Sequence, residues 1–336
     1  MVDWKNSVVL VTGGTGSFGK QFIRTMLAEY DPAKIIVFSR DELKQHEMRE
    51  AGFNDPRLRY FIGDVRDPDR LKRAFNGVDI VVHAAALKQV PACEYNPMEA
   101  VKTNILGSAN VIDAALDEGV SRVLALSTDK AVNPVNLYGA TKLAAEKLFI
   151  QSNSYAGGTQ TRFSCVRYGN VVGSRGSVVH VFLNQRATGK VTVTDERMTR
   201  FWISLDQGVR FVIRAIEVMQ GGEVFVPKLP SMKITDLAHA IAPDAKIESI
   251  GIRQGEKLHE AMIGEDESRN TIDMDTMYVV QPGQSIWFGG DWAQRGKKMP
   301  EGFVYASNTN TEWLTIPEIK EIIKPFEDHH TVGAAD

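Results

Sequence analysis

Six short apolar runs punctuate the first half of the chain, at 7–13 (SVVLVTG), 34–39 (KIIVFS), 58–64 (LRYFIGD), 78–86 (VDIVVHAAA), 121–128 (SRVLALST) and 163–170 (FSCVRYGN). They are rich in Val and Ile and do not alternate with polar positions, the pattern of strands covered on both faces. Between them lie stretches with helical character, among them 19–30, 67–76, 98–118 and 137–155. This alternation with short connections predicts an α/β fold, a doubly wound parallel sheet of the Rossmann type with right-handed crossovers. After about residue 170 the rhythm loosens into a stretch that reads as irregular and mostly helical, broken by VVGSRGSV, MQGGEVFVPKLPS and GIRQGEKLHE. The terminal EDHHTVGAAD reads as a frayed tail in which His329 and His330 are solvated rather than metal ligands.

Composition narrows the class. The 336 residues are 43% hydrophobic and 24% charged, enough for a large core, and the net charge of −3 gives no electrostatic reason to expect nucleic acid or a membrane surface as partner. The cysteines, Cys93 and Cys165, form no metal-ligand spacing and read as reduced thiols. No run of about 18 apolar residues and no basic leader stands at the start, so a cytoplasmic protein is expected.

The first strand ends in TGGTGSFGK. Gly13, Gly16 and Gly19, with Thr15, Ser17 and Phe18 between them, form a glycine turn that opens a helix, where backbone approaches a pyrophosphate and the helix N-terminus meets its charge. The second strand ends at Ser39 and Arg40, with Lys44 a turn further on; a hydroxyl and two cations favour a 2′-phosphate and hence NADP. Asp41, followed by Glu42, is placed either to reach the ribose or to cap a helix. Asp64 and Val65 follow the third strand where an adenine edge is held, and Ala84, Ala85 and Ala86 follow the fourth, where small side chains let a cofactor pass. The expected division is an NADP-binding Rossmann domain over 1–170, to which some later segments return, and a mainly substrate-binding region with the tail over 171–336.

Together T-G-G-x-G-x-x-G, G-D-V-R-D, H-x-A-A, the Thr103–Asn104 pair, S-T after the fifth strand and Y-x-x-x-K resemble the extended short-chain dehydrogenase/reductase superfamily. FSRDELKQ, HAAALKQVP, STDKAVNP, LYGATK, RYGNVVGSRGSVV, TDERMTRFW and IRQGEKLHE narrow the resemblance to the inverting UDP-N-acetylglucosamine 4,6-dehydratases, which begin pseudaminic acid synthesis; it covers about residues 7–265. The resemblance implies NADP as cofactor, UDP-N-acetylglucosamine as substrate, Asn104 as a further cofactor contact and a homo-oligomer such as a hexamer.

Tyr138 and Lys142 stand at i, i+4 and share one helix face. For Tyr138 to take a proton from a sugar C4 hydroxyl at neutral pH, its pKa must fall by about three units from ~10, roughly 4 kcal/mol, which Lys142 and a nicotinamide cation are expected to supply. Ser127 or Thr128 would bond the C4 oxygen, and the resemblance favours Thr128. Oxidation at C4 acidifies C5, so one group can remove the C5 proton while another protonates the departing C6 hydroxyl. The resemblance assigns Lys130 as that base and Asp129 as that acid. Lys130 must then be neutral, its pKa lowered from about 10.4 to roughly 7–8, with burial, Lys142 and the nicotinamide expected to push it down. A mere salt bridge between Asp129 and Lys130 is the competing reading.

At the substrate end Asn170 and Arg175 are placed for the sugar and diphosphate, Thr194 for uracil with Met198 beside it, Arg200 for a phosphate, and Arg253 and Glu256 for phosphate and ribose. Lys88 is placed to touch both cofactor and sugar. A UDP-sugar 4-epimerase shares this framework without using Asp129 and Lys130. A non-catalytic NADP-sensing scaffold would use neither pair.

Overall fold

The computed structural model describes residues 2–157, 160–173, 177–283 and 292–332. Its centre is a sheet with β1 (Val8–Thr12), β2 (Lys34–Ser39), β3 (Leu58–Ile62), β4 (Ile80–His83), β5 (Arg122–Leu126) and β6 (Arg162–Val166), every one within a predicted run or one residue from it. The strands are parallel in the order β3-β2-β1-β4-β5-β6, then Val224–Pro227, and the sheet ends in the antiparallel strands Met277–Val280, Thr271–Met274 and Lys297–Lys298. The order reverses beside β1, and the crevice at such a reversal is where open α/β sheets bind ligands.

The crossovers are α1 (Ser17–Thr25), α2 (Glu42–Glu50), α3 (Pro68–Phe75), α4 (Val90–Tyr95), α5 (Pro97–Ala100), α6 (Gly107–Asp117) and α7 (Leu137–Gln151). Local chemistry sets their starts. Asp41 caps α2 by accepting from Lys44 N at 3.0 Å, Asp67 caps α3 ahead of Pro68, and Asn136 caps α7 by accepting from Gly139 N at 2.8 Å.

Beyond residue 170 the chain is not mostly helical, as its pattern led us to expect. Short strands recur there, and several fill the antiparallel side of the sheet, while Asn170–Val171, Thr199–Ile203 and Ser231–Lys233 form a separate three-stranded sheet. Strands of two to five residues are too short for a period to show in sequence. A second apolar core joins Val172, Phe182, Trp202 and Leu237 to Ile319 and Ile323 of a terminal helix, Ile316–Val332. That helix corrects the tail reading: it is anchored by the fully buried Ile319 and Ile323 and runs past Glu327 to Val332. The side chains of His329 and His330 lie outside the described residues. Among the described residues no helix is long and apolar enough to cross a membrane.

Candidate active site

A cavity of about 850 Å³ opens along the C-terminal ends of the parallel strands. One end is the glycine turn. Gly13 is left-handed (φ 67°), and a Cβ on it would come within 3.0 Å of Ala85 N; a Cβ on Gly19 would stand 2.4 Å from Gly14 O. Backbone fills these positions so closely that only hydrogen fits. No side chain caps α1, leaving its first turn to the cavity beside Thr15, Gly16, Ser17 and Phe18. Ala84, Ala85 and Ala86 line the adjoining wall. Their turn is pinned by Thr12 Oγ1, which accepts from Ala84 N (3.1 Å) and Ala85 N (3.2 Å) and meets His83 Nδ1 at 2.9 Å. His83 is wholly buried, which lowers its pKa to about 3, with Lys142 adding to the effect, so it stays neutral.

At the far end of β2, Ser39, Arg40, Asp41 and Lys44 all reach the cavity. Asp41 caps α2, its carboxylate serving Lys44 N and, at 2.9 Å, Lys44 Nζ, while it also lines the cavity. Lys44 is thereby paired. Ser39 Oγ accepts from Gln45 at 3.0 Å, whereas Arg40 is largely exposed, 3.9 Å from Asp64. Asp64 and Val65 line the cavity, and Asp64 also forms the turn by accepting from Arg66 N at 3.0 Å. Glu42, in the exposed first turn of α2, does not reach the cavity. Nor does Asn104: its buried amide clamps Leu87 through N and O (2.8 and 2.9 Å) and reaches Thr141 Oγ1 at 3.0 Å, so it braces the loop carrying Lys88.

The other wall carries Thr128, Asp129, Lys130, Tyr138 and Lys142. Lys130 Nζ donates to Asp129 Oδ1 at 3.1 Å, and Thr128 Oγ1 donates to the same oxygen at 2.8 Å. The salt bridge is therefore present. Burial pushes the Lys130 ammonium down, but Asp129 and then Glu260, whose Oε1 is 3.5 Å away, outweigh it and hold the group well above the ordinary lysine range. This reverses the expected direction, because two buried carboxylates face Lys130 and Lys142 is not among the groups that shift it. Tyr138 likewise departs from expectation. Burial raises its pKa to about 12; Lys130 and Thr128 pull it down by less, and the cation acting on it is Lys130 rather than Lys142. Lys142 itself is lowered, chiefly by burial.

The substrate-end residues divide. Asn170 and Lys88 line the cavity, joined by Ile322, Pro325 and Phe326 of the terminal helix, which the sequence did not point to. Arg175 lies outside the described residues. Thr194, Met198, Arg200, Arg253 and Glu256 stand off the cavity wall. Thr194 Oγ1 donates to Met198 Sδ (3.0 Å), and the Arg200 guanidinium donates to the carbonyls of Thr199, Leu258 and Lys257 at 2.7–3.0 Å. Arg253 is exposed, and its N–H donates to Glu256 at 3.2 Å. The loop they share serves α7 instead: Gly255 O accepts from Asn136 Nδ2 at 2.7 Å, and Lys257 Nζ donates to Val132 O at 2.5 Å.

Three residues behind the wall also escaped sequence reasoning. Ser127 donates to Glu146 Oε2 at 2.7 Å, as Thr128 donates to Asp129, so both hydroxyls are engaged. Glu146 is paired with the wholly buried Arg167 at 2.5 Å, and Arg167 bonds Glu267 at 2.8 and 2.9 Å and Met262 O at 2.8 Å. Glu146 stands one turn beyond Lys142 on α7, a spacing that could have drawn notice. Arg167 and Glu267 are 100 residues apart, and nothing local links them.

A glycine turn on one side of a sheet-end cavity and a buried Tyr–Lys helix on the other define the short-chain dehydrogenase/reductase class of Rossmann proteins. Residues 9–282 match the family model described as polysaccharide biosynthesis protein. Over 335 residues the chain is 55% identical to the UDP-N-acetylglucosamine 4,6-dehydratase (inverting) of Campylobacter jejuni, covering 97% of this chain and 98% of the relative. It is also 42% identical over 327 residues to a UDP-glucose 4-epimerase of Rickettsia conorii, with 95% of each covered. The X-ray structure of Pen from Bacillus thuringiensis superposes with a TM-score of 0.87 at 36% identity, over 96% of this chain and 100% of that one. The chain belongs to the polysaccharide biosynthesis protein family, in the group that holds the inverting UDP-N-acetylglucosamine 4,6-dehydratases.

Proposed function

We propose that the protein is an NADP-dependent UDP-N-acetylglucosamine 4,6-dehydratase, a carbon–oxygen lyase that inverts C5 and yields UDP-2-acetamido-2,6-dideoxy-L-arabino-hexos-4-ulose, the opening step toward pseudaminic acid. The observation that carries this reading is the acid–base couple Asp129–Lys130 on the same cavity wall as Tyr138 and Lys142. The close-packed glycine turn fits a dinucleotide pyrophosphate. Arg40, held only loosely at 3.9 Å from Asp64, fits a 2′-phosphate, while Asp41 is spent on its cap. A bound NADP would supply the two-electron acceptor for C4 and the donor for C6. Tyr138 takes the C4 hydroxyl proton, steadied by Thr128. Lys130 as the amine takes the C5 proton, and Asp129 as the acid gives its proton to the C6 oxygen, which leaves as water.

Incubation with UDP-N-acetylglucosamine in D₂O, without added cofactor, tests this directly. The expected product has lost one water, carries deuterium at C5 with inverted configuration, and comes from protein that releases NADP on denaturation. The Rickettsia relatives favour a 4-epimerase as second reading, and a product of unchanged mass would select it.

A further inference from the structure

Glu260 is 3% exposed and lies off the cavity wall, behind the catalytic loop. Its backbone is fixed on both sides by Ser307: Glu260 N donates to Ser307 Oγ at 3.0 Å, and Ser307 N donates to Glu260 O at 2.8 Å. So held, its carboxylate faces two ammonium groups. Oε1 is 3.5 Å from Lys130 Nζ and Oε2 is 3.7 Å from Lys257 Nζ, yet Oε2 has no hydrogen-bond partner. Asp129 Oδ2 is likewise buried and unpartnered. Two buried carboxylates, each with an uncommitted oxygen, thus meet at the Lys130 ammonium, while Lys257 reaches Glu260 from the other side.

We propose that Glu260 is a positioning residue that selects the proton form of Lys130: ionised, it locks Lys130 as ammonium, and protonated, it frees Lys130 to become the amine that takes a proton. The inference rests on the dehydratase reading, in which Lys130 is the base. The charged and titratable groups facing the pair are Asp129 on the same loop, Tyr138 from α7, Lys257 from the loop that carries Glu260, and Arg200 from the strand Thr199–Ile203. Burial and then Asp129 raise the pKa of Glu260, opposed by Lys130, Arg200 and Lys257, so its carboxyl is the readier to take up a proton. Glu260 closes the IRQGEKLHE stretch, which sequence reading had assigned to substrate phosphate and ribose.

Glu260→Gln keeps the shape and removes the charge. Its acid limb in the pH dependence of C5 exchange should move to lower pH by about one unit, about a tenfold gain in rate at a fixed pH on the limb, with KM changed by no more than about twofold. Glu260→Asp, which keeps the charge but withdraws it by one methylene, should move the limb the same way by less. Independently of turnover, the pH midpoint for acetic anhydride labelling of Lys130, read by mass spectrometry, should fall in Glu260→Gln. Limbs and labelling midpoints that coincide with wild type would overturn the proposal, and if Glu260→Gln does not fold, an unmoved Glu260→Asp limb does so alone. A wild-type protein that does not turn over UDP-N-acetylglucosamine would sink the dehydratase reading instead, leaving the labelling comparison to judge Glu260.

Discussion

Gly139 follows Tyr138 where α7 packs against the Lys130 backbone, and its missing side chain sets the spacing of the two catalytic pairs. A Cβ there would lie 2.2 Å from the carbonyl oxygen of Lys130 and 3.1 Å from Pro134 Cβ. An ordinary carbon–oxygen contact is about 3.3 Å, so Gly139→Ala must part α7 from the Lys130 backbone by about 1 Å. The obstacle is main chain, which cannot rotate aside. Forced insertion of this kind costs about 1–3 kcal/mol of stability, and a 1 Å misplacement of reacting groups costs on the order of 10²-fold in rate. The separation also weakens the Asn136 cap, whose acceptor holds Gly139 N at 2.8 Å. We expect Gly139→Ala to fold, to bind the dinucleotide at the distant glycine turn with little change, and to lose about 100-fold in kcat for water elimination. Steady-state kinetics by NMR, beside a cofactor-binding titration and urea unfolding, would measure this. A variant with kcat within threefold of wild type would refute the claim that this contact sets the spacing of Lys130 and Tyr138.

Two further outcomes follow from buried charge. Arg167→Met strands Glu146 and Glu267 without their cation, and breaking a buried pair from one side costs about 3–5 kcal/mol; urea unfolding within 1 kcal/mol of wild type would show that the network is not structural. His83 is held neutral with its pKa near 3, below its ordinary 6.5, so its contribution is complete above pH 6.5 and is lost as pH falls toward 3, where the unfolded chain takes a proton that the folded one refuses. That amounts to about 1.4 kcal/mol per pH unit within the window. Unfolding free energies at pH 7, 6 and 5 should therefore decline less steeply in His83→Gln, and equal slopes would contradict the assignment.

Much of this was readable from one-dimensional pattern. Strands β1, β2, β4, β5 and β6 are buried along nearly their whole length, so their apolar runs are continuous, while the edge strand β3 keeps Arg59 and Ile62 exposed; the glycine turn and Y-x-x-x-K pair are local motifs with fixed spacing. The strands after residue 170 are too short to show a period. The stretch from Glu327 reads as a tail because it is polar and carries no apolar period; it continues a helix whose buried anchors, Ile319 and Ile323, stand before it. Chemistry failed to show where it depends on long-range pairing. Lys130 was expected to be lowered because its nearest visible cations were counted; the carboxylate that helps reverse the shift, Glu260, is 130 residues away. Arg200 looked free for phosphate only because the carbonyls of Lys257 and Leu258 that occupy it are equally remote. A polar residue's partners are set by the fold, and local capping interactions such as those of Asp41, Asp67 and Asn136 are the kind near enough to be read directly.

From the sequence the Asp129–Lys130 contact reads as either salt bridge or acid–base couple, and the geometry removes that opposition. An ammonium beside a carboxylate and an amine beside a carboxylic acid hold the same number of protons; they differ by one transfer along the 3.1 Å contact from Lys130 Nζ to Asp129 Oδ1. In water that transfer costs about 9 kcal/mol from the reference pKa values. Burial penalises the charged pair and leaves the neutral pair nearly untouched, so the cost falls as the site dries. Two contacts oppose it: Thr128 Oγ1 donates to the same Asp129 oxygen at 2.8 Å, and Glu260 holds the ammonium from a second side. In the proposed cycle, elimination moves a proton from C5 to Lys130 and another from Asp129 to the C6 oxygen, so its end state is the ion pair seen here. As hydride returns to C6, C5 takes up a proton from solvent and Tyr138 releases one to solvent; one proton shift back along the same contact then restores the couple for the next turnover. The groups that stabilise the ion pair therefore govern this reset step, which makes the protonation of Glu260, rather than the bare proximity of Lys130 and Asp129, the variable that controls it.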